Sequence, residues 1–211
     1  MRVSTNWDVN PQDLELISSG YTHAHYKMIE TLRNHGVNIE ANDFSAPIKF
    51  SFCSPPYHDK YEDQYIIGCS SHESSKLPDD WIEPFEKVDE IWSPSTFGLN
   101  VFKEYMGDKA TTVFPHGVSE IYAPVKRNNG RMFTFLHVGE PYQRKMGRLV
   151  AEAFEIAFKN RKDVRLIFKT NGSRQHGLPK HKISTRASNI IIMSKYLTLT
   201  EYILLLNSSN C

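Results

Sequence analysis

Along the chain, short runs rich in β-branched and aromatic residues alternate with longer stretches in which apolar residues recur every three or four positions. The runs VNIEA, IKFSFC, QYIIGC, EIWSPS and TTVFP, followed by MFTFLHVG, DVRLIFKT and NIIIMS, have the length and residue types of buried strands. Strands that alternate with helical stretches predict βα units and parallel sheets, because a parallel partner is reached through a crossover.

The helices carry readable ends. In GYTHAHYKMIETLRNHG, Ala24, Met28 and Leu32 form one apolar stripe, and Gly36 stands where a left-handed C-terminal cap belongs. Ser95 is placed to cap TFGLNVFKEYM, which presents Leu99, Phe102 and Met106 on one side and stops at Gly107. Thr198 and Glu201 form a capping box ahead of YILLL, since hydroxyl and carboxylate each satisfy a backbone N–H that would otherwise be unpaired. Only NSSNC follows, so the pattern predicts that Tyr202, Leu205 and Leu206 expose an apolar face with no strand or partner helix to cover it, and that the chain is a fragment.

Neither an internal repeat nor a low-complexity segment interrupts this alternation. One composition shift does. At SEIYAPVKRNNGR, Pro, Asn, Gly and charges replace the apolar runs, which puts a boundary near Val125 and divides the chain into residues 1–125, with five of the runs, and 126–211, with three.

Composition narrows the function classes. The 211 residues hold 25 Lys and Arg against 24 Asp and Glu, so the chain lacks the bulk field that collects on nucleic acid or an anionic membrane, and any phosphate recognition must be local. Cys53, Cys69 and Cys211 are not spaced like a zinc or redox pair, and MRVSTNWDVN lacks the apolar core of a secretory signal. A cytoplasmic setting is expected. Peripheral membrane contact stays open, because it needs only one amphipathic face and a few basic residues.

The segment FTFLHVGEPYQRKMGRLVAEAF joins a buried-type strand, a loop holding Gly139, Arg144, Lys145 and Gly147, and an amphipathic helix. A helix N-terminus at the carboxyl end of a parallel strand offers free N–H groups and a positive dipole end, and Arg and Lys add charge-assisted bonds, so a phosphate or diphosphate fits there. The spacing matches neither the P-loop nor the dinucleotide glycine pattern. On chemistry alone, Arg144 and Lys145 as solvated surface charges is the preferred reading.

The run HESSKLPDDWIEPFEKVDEIWSPSTFGLNVFKEYMGDKATTVFPHGVSEIYAP resembles the end of the first lobe in glycosyltransferase family 4 enzymes. There an acidic residue precedes Leu-Pro and a helix, a D-x-I-W-x-P-S strand follows, and a P-H-G-V turn closes the lobe. The matching residues are Glu73, Leu77, Pro78, Asp89, Ile91, Trp92, Pro94, Ser95, Pro115, His116, Gly117 and Val118. FLHVGEPYQRKMG resembles the first strand and phosphate loop of the second lobe, and SGYTHA the Gly-rich turn near the donor. The resemblance implies a GT-B-like α/β fold of two Rossmann-like lobes with parallel sheets, the second incomplete. It also implies transfer of a sugar, with retention of configuration, from a nucleotide-sugar donor to a glycan, lipid or protein acceptor that the sequence does not identify.

The resemblance also implies roles for individual residues. Arg144 and Lys145, with Gly139 and Gly20, contact the donor diphosphate. His72 lies close to the donor sugar, where it stabilises an oxocarbenium-like transition state; the alternative is a loop histidine bonded locally. Glu73, His116 and Gly117 belong to the acceptor side or the hinge, with Glu73 alternatively capping the segment after it and Gly117 supplying a turn. No metal and no cofactor are expected, because basic side chains and helix dipoles neutralise the leaving diphosphate and the donor phosphate takes the acceptor proton. His23 and His25, two apart on a helix, point to different faces rather than to a common metal. Trp81 and Trp92 are expected in the core rather than as sugar platforms.

Two departures are visible. Glu140 stands where several relatives carry a basic residue, and the family's pair of glutamates seven residues apart, which grips ribose and sugar, has no match in the chain. The polypeptide alone is therefore expected to be a poor catalyst, and a non-catalytic carbohydrate- or nucleotide-binding module of the same fold is the main rival. A phosphorylase-like enzyme with the same two-lobe plan is a weaker one.

Overall fold

A computed structural model of the protein describes residues 2–6, 20–59, 63–123, 125, 130–139, 145–170 and 187–211. They form two compact α/β units, one ending at Val118 and the other starting at Ser119, the first residue of the polar stretch. All eight expected strands are present.

In the first unit, β1 (Arg2–Thr5), β2 (Asn38–Ala41), β3 (Ile48–Phe52), β4 (Tyr65–Cys69), β5 (Glu90–Ser93) and β6 (Ala110–Val113) make one all-parallel sheet in the order β2-β1-β3-β4-β5-β6. β1 is a sixth strand that the apolar pattern did not reveal. It is four residues long, and two of its three buried side chains are Ser4 and Thr5, so it carries no hydrophobic run to read.

Helix α1 (Gly20–Asn34) lays Met28 and Ile29, with Ala24 and Leu32, against Val3, Ile39, Phe50 and Phe52. Gly36, at φ 81°, closes it in a Schellman motif: Val37 N donates to Leu32 O and Gly36 N to Arg33 O, both at 3.0 Å. A second core gathers Ile66, Leu77, Val88 and Ile91 from the β4–β5 region, Phe85 from the short helix α2 (Ile82–Glu86), and Leu99, Val101 and Phe102 from α3 (Thr96–Met106). Ser95 caps α3, accepting from Gly98 N at 3.0 Å. Trp81 and Trp92 pack against these two cores, one on each.

The β3–β4 connection contains, among the described residues, a single 3-10 turn at Pro55–Tyr57 and no α-helix. That explains an oddity of β3. Phe50 and Phe52 face the α1 core, but the alternate positions Lys49 and Ser51, continued by Cys53, are buried too. A loop offers backbone carbonyls rather than an apolar helix face, so the strand side beneath it is polar: Lys49 Nζ donates to Asp59 O at 2.9 Å.

In the second unit, β7 (Phe133–Val138), β8 (Val164–Thr170) and β9 (Ile190–Ser194) pair in parallel in that order. Helix α4 (Gly147–Phe158) buries Ala151 and Phe154 on Val164, Leu166 and Phe168. Helix α5 (Leu199–Asn207) starts at the expected capping box and covers the other side, with Leu205 on Ile167 and Leu197 beside Leu136, Met193 and Tyr202. The expectation of an uncovered apolar face is therefore corrected. The sheet itself is the partner: Tyr202 and Leu206 are half-buried, Leu205 is buried, and Leu204 is the residue left outside at 63% exposure. After α5 the chain reaches the free edge of β7. Cys211 N donates to Thr134 O at 3.2 Å and Leu136 N to Cys211 O at 2.6 Å, the pattern of a parallel ladder about Phe135.

Candidate functional site

Ligands of open parallel sheets gather outside the carboxyl ends of the strands, where the strand order reverses. In the first unit that point lies between β1 and β3. Thr5 and Asn6 end β1 there, Cys53 and Ser54 follow β3, and α1 starts nearby in sequence at Gly20.

A chain of buried hydrogen bonds ties these strand ends together. Asn6 Nδ2 donates to Ser51 Oγ (2.8 Å), and Ser51 Oγ lies 2.7 Å from His58 Nδ1. His58 Nε2 lies 3.1 Å from Ser70 Oγ, which donates to Cys53 O at 2.6 Å. The two ends fix the direction of every proton between them. An amide nitrogen only donates and a carbonyl only accepts, so Ser70 spends its proton on Cys53 and must receive one from Nε2, leaving Nδ1 to accept from Ser51. His58 is thus the neutral Nε2–H tautomer. Burial first, and the charge of Lys49 second, push its pKa down to about 4. Cys53 Sγ is 3.2 Å from His58 Nδ1, yet burial raises the thiol's pKa, so the pair is thiol and imidazole rather than an activated thiolate and imidazolium. The arrangement holds loops; it does not supply a nucleophile.

His72 follows β4 by a few residues. Its Nε2 is 3.1 Å from Lys76 O, and its ring packs on Trp81 and Phe102 with centroids 5.3 and 6.0 Å away. Glu73 beside it is exposed. His116 is exposed and sets its ring against Phe52 at 5.7 Å, because Phe114 packs on Phe50 and Trp92 and carries the chain back over the sheet. Phe52 also meets the buried His25, at 6.1 Å, and His25 Nε2 is 3.1 Å from Thr5 Oγ1. Gly117 does not need to be glycine for its turn: its φ is not positive, and nothing lies within 4 Å of where a Cβ would sit.

In the second unit, Gly139 and Lys145 come together at the end of β7. A Cβ on Gly139 would stand 3.5 Å from Lys145 Cγ and 3.6 Å from His137 Nε2, and Gly139 N donates to Lys169 O at 3.0 Å. Arg144 and Glu140 lie outside the described residues. Lys145 is exposed and Met146 after it holds a left-handed φ of 52° as the N-cap of α4, where, among the described residues, no side chain accepts a helix N–H. Among the described residues, then, no side chain takes up the backbone donors of the first turn of α4, which stand beside a lysine. His137 joins this cluster unforeseen: its ring packs on Phe168 at 5.0 Å, its buried Nε2 has no partner, and burial, then the Lys145 charge, lowers its pKa. An anion seated by Lys145 would relieve the second cause.

Among the described residues no three of His, Cys, Asp and Glu gather as a metal site would require, and no helix is long and apolar enough to cross a membrane. The Asn6–Ser51–His58–Ser70 chain was missed in the sequence, although the polar alternation Lys49, Ser51, Cys53 within IKFSFC was its signal. Searched against known proteins, the chain matches no family model and no curated protein.

Proposed function

We propose that the protein is built as a GT-B-type glycosyltransferase that uses a nucleotide-sugar donor, with the donor diphosphate held at the carboxyl end of β7. The observation that carries this is the cluster of Gly139, Lys145 and His137 in front of an α4 N-terminus that no side chain caps among the described residues. Free helix N–H groups and a lysine are what a leaving diphosphate needs in place of a metal. The family 4 motif residues of the first unit, including Trp92, Pro94, Ser95 and His116, support the same assignment. In it, His72 and Glu73 stand on the sugar and acceptor side, and the donor phosphate takes the acceptor proton.

The test is calorimetric binding of UDP and ADP to the whole chain and to Lys145→Ala. Loss of one charge-assisted contact should weaken binding about ten- to a hundredfold at unchanged melting temperature. Unchanged affinity removes the diphosphate assignment. Glu140, an acidic residue in the loop assigned to the diphosphate, favours a second reading, a nucleotide- or carbohydrate-binding module without turnover.

A further inference from the structure

We propose that His58 is a positioning residue for His72: through Ser70, its neutral imidazole fixes the start of the turn that carries His72 beyond β4. The role of His72 in this statement rests on the transferase reading above, whereas the positioning rests on the hydrogen-bond chain alone.

Three observations converge. The turn from Ser71 to Lys76 has no regular structure, and it is anchored at its far end by the buried Leu77. At its near end Ser70 is the last buried residue, and its hydroxyl has two partners, His58 Nε2 and Cys53 O. The imidazole is itself clamped. It packs on Phe85 with centroids 5.9 Å apart, and over Gly68, where any Cβ would stand 3.0 Å from Nε2. A glycine on β4 therefore makes room for the ring, and the ring's fixed place sets where Ser70 can be. Only a planar group that accepts on one side and donates on the other can span from Ser51 of β3 to Ser70 with both directions of proton already dictated. Through this one ring the ends of β1, β3 and β4 are held in a single register, and His72 leaves that register two residues later.

The ring protons of His72 report the effect, because Trp81 and Phe102 shift them by ring currents whether or not the protein has a substrate. His58→Gln and His58→Asn both delete the imidazole and its contact with Phe85, and should lose similar stability. They differ in reach. A glutamine amide extends to the former position of Nε2 and donates to Ser70; an asparagine amide stops near that of Nδ1. Proton NMR of the full chain should find the His72 shifts close to wild type in His58→Gln and displaced toward random-coil values in His58→Asn and in the milder Ser70→Ala. If a UDP-sugar is turned over, kcat should fall about ten- to a hundredfold in His58→Asn with KM little changed, and recover in His58→Gln. Equal His72 shifts in all the proteins, or equal displacement in the Gln and Asn variants, would overturn the positioning role. A Gln–Asn split in a protein whose affinity for UDP and ADP is unchanged by Lys145→Ala supports the positioning and sinks the transferase reading instead.

Discussion

Replacing Gly98 with alanine tests how closely α3 approaches the end of β5. An ideal Cβ at Gly98 would lie 2.4 Å from Ser93 Oγ, a separation at which something must move, while its next neighbours, Ser95 Oγ at 3.3 Å and Ser93 Cβ at 3.7 Å, are tolerable. Ser93 is fully buried, so either its hydroxyl turns within packed surroundings or the helix shifts away from the strand. Overpacking of this kind costs about 1–3 kcal/mol, and removing a glycine from a helix returns about 1 kcal/mol, so Gly98→Ala should destabilise by up to about 2 kcal/mol. Ser93→Ala should cost little or stabilise, because Ser93 Oγ has no hydrogen-bond partner to lose. In the double variant the clash is gone and the helix gain remains, so it should be at least as stable as Ser93→Ala alone. Urea unfolding of the four proteins gives the coupling energy. Its sign should be favourable and its size about 1–3 kcal/mol. Additive effects among the four proteins would refute the close approach.

Further expectations concern titration and thiols. His58 binds its proton near 6.5 when unfolded but near 4 when folded, so its contribution is complete above pH 6.5 and fades as the pH falls through 4. That amounts to roughly 3 kcal/mol, measurable as the difference in urea midpoint between wild type and His58→Gln from pH 7 to 4; parallel pH profiles would contradict it. Phosphate or ADP added to the protein should raise the pKa of His137 by offsetting the Lys145 charge, and an NMR titration unmoved by either ligand argues against an anion at that site. Under native conditions Ellman's reagent should modify Cys211, which is exposed, and spare Cys53 and Cys69, which burial raises, the latter to about 12; three fast thiols would refute the buried placement. Thr198→Ala should cost about 1 kcal/mol by removing one half of the capping box of α5, read as a lower melting temperature.

What was legible in the sequence follows from what kind of signal each feature leaves. Eight strands announced themselves because their buried faces are apolar, and Gly36, Ser95 and the Thr198–Glu201 pair marked helix ends because backbone geometry restricts which residues serve there. β1 left no such mark, since Ser4 and Thr5 are buried where hydrophobic residues would be expected. The Gly139–Lys145 juxtaposition was readable as strand, loop and helix in succession, but His137 was not, because it reads as one more residue of a strand. His58 was hidden for a different reason. Its partners Asn6, Ser51 and Ser70 come from three segments far apart in the chain, and only the fold joins them. The covering of α5 was misjudged because a pattern along one helix does not show which sheet face stands opposite.

The strand order of the first unit also bears on how the chain folds as it leaves the ribosome. β3, β4, β5 and β6 join the same growing edge in the order of their synthesis, so each emerging strand finds its template already laid. β1 is the exception, because it waits for partners on both sides: Val3 pairs with Ile39 on one flank and with Ile48 on the other. A nascent chain paused before Ile48 therefore carries β1 with one edge bare, open to pairing with a neighbouring polysomal chain. Once Phe52 has emerged, that edge is closed and the three-stranded nucleus is complete.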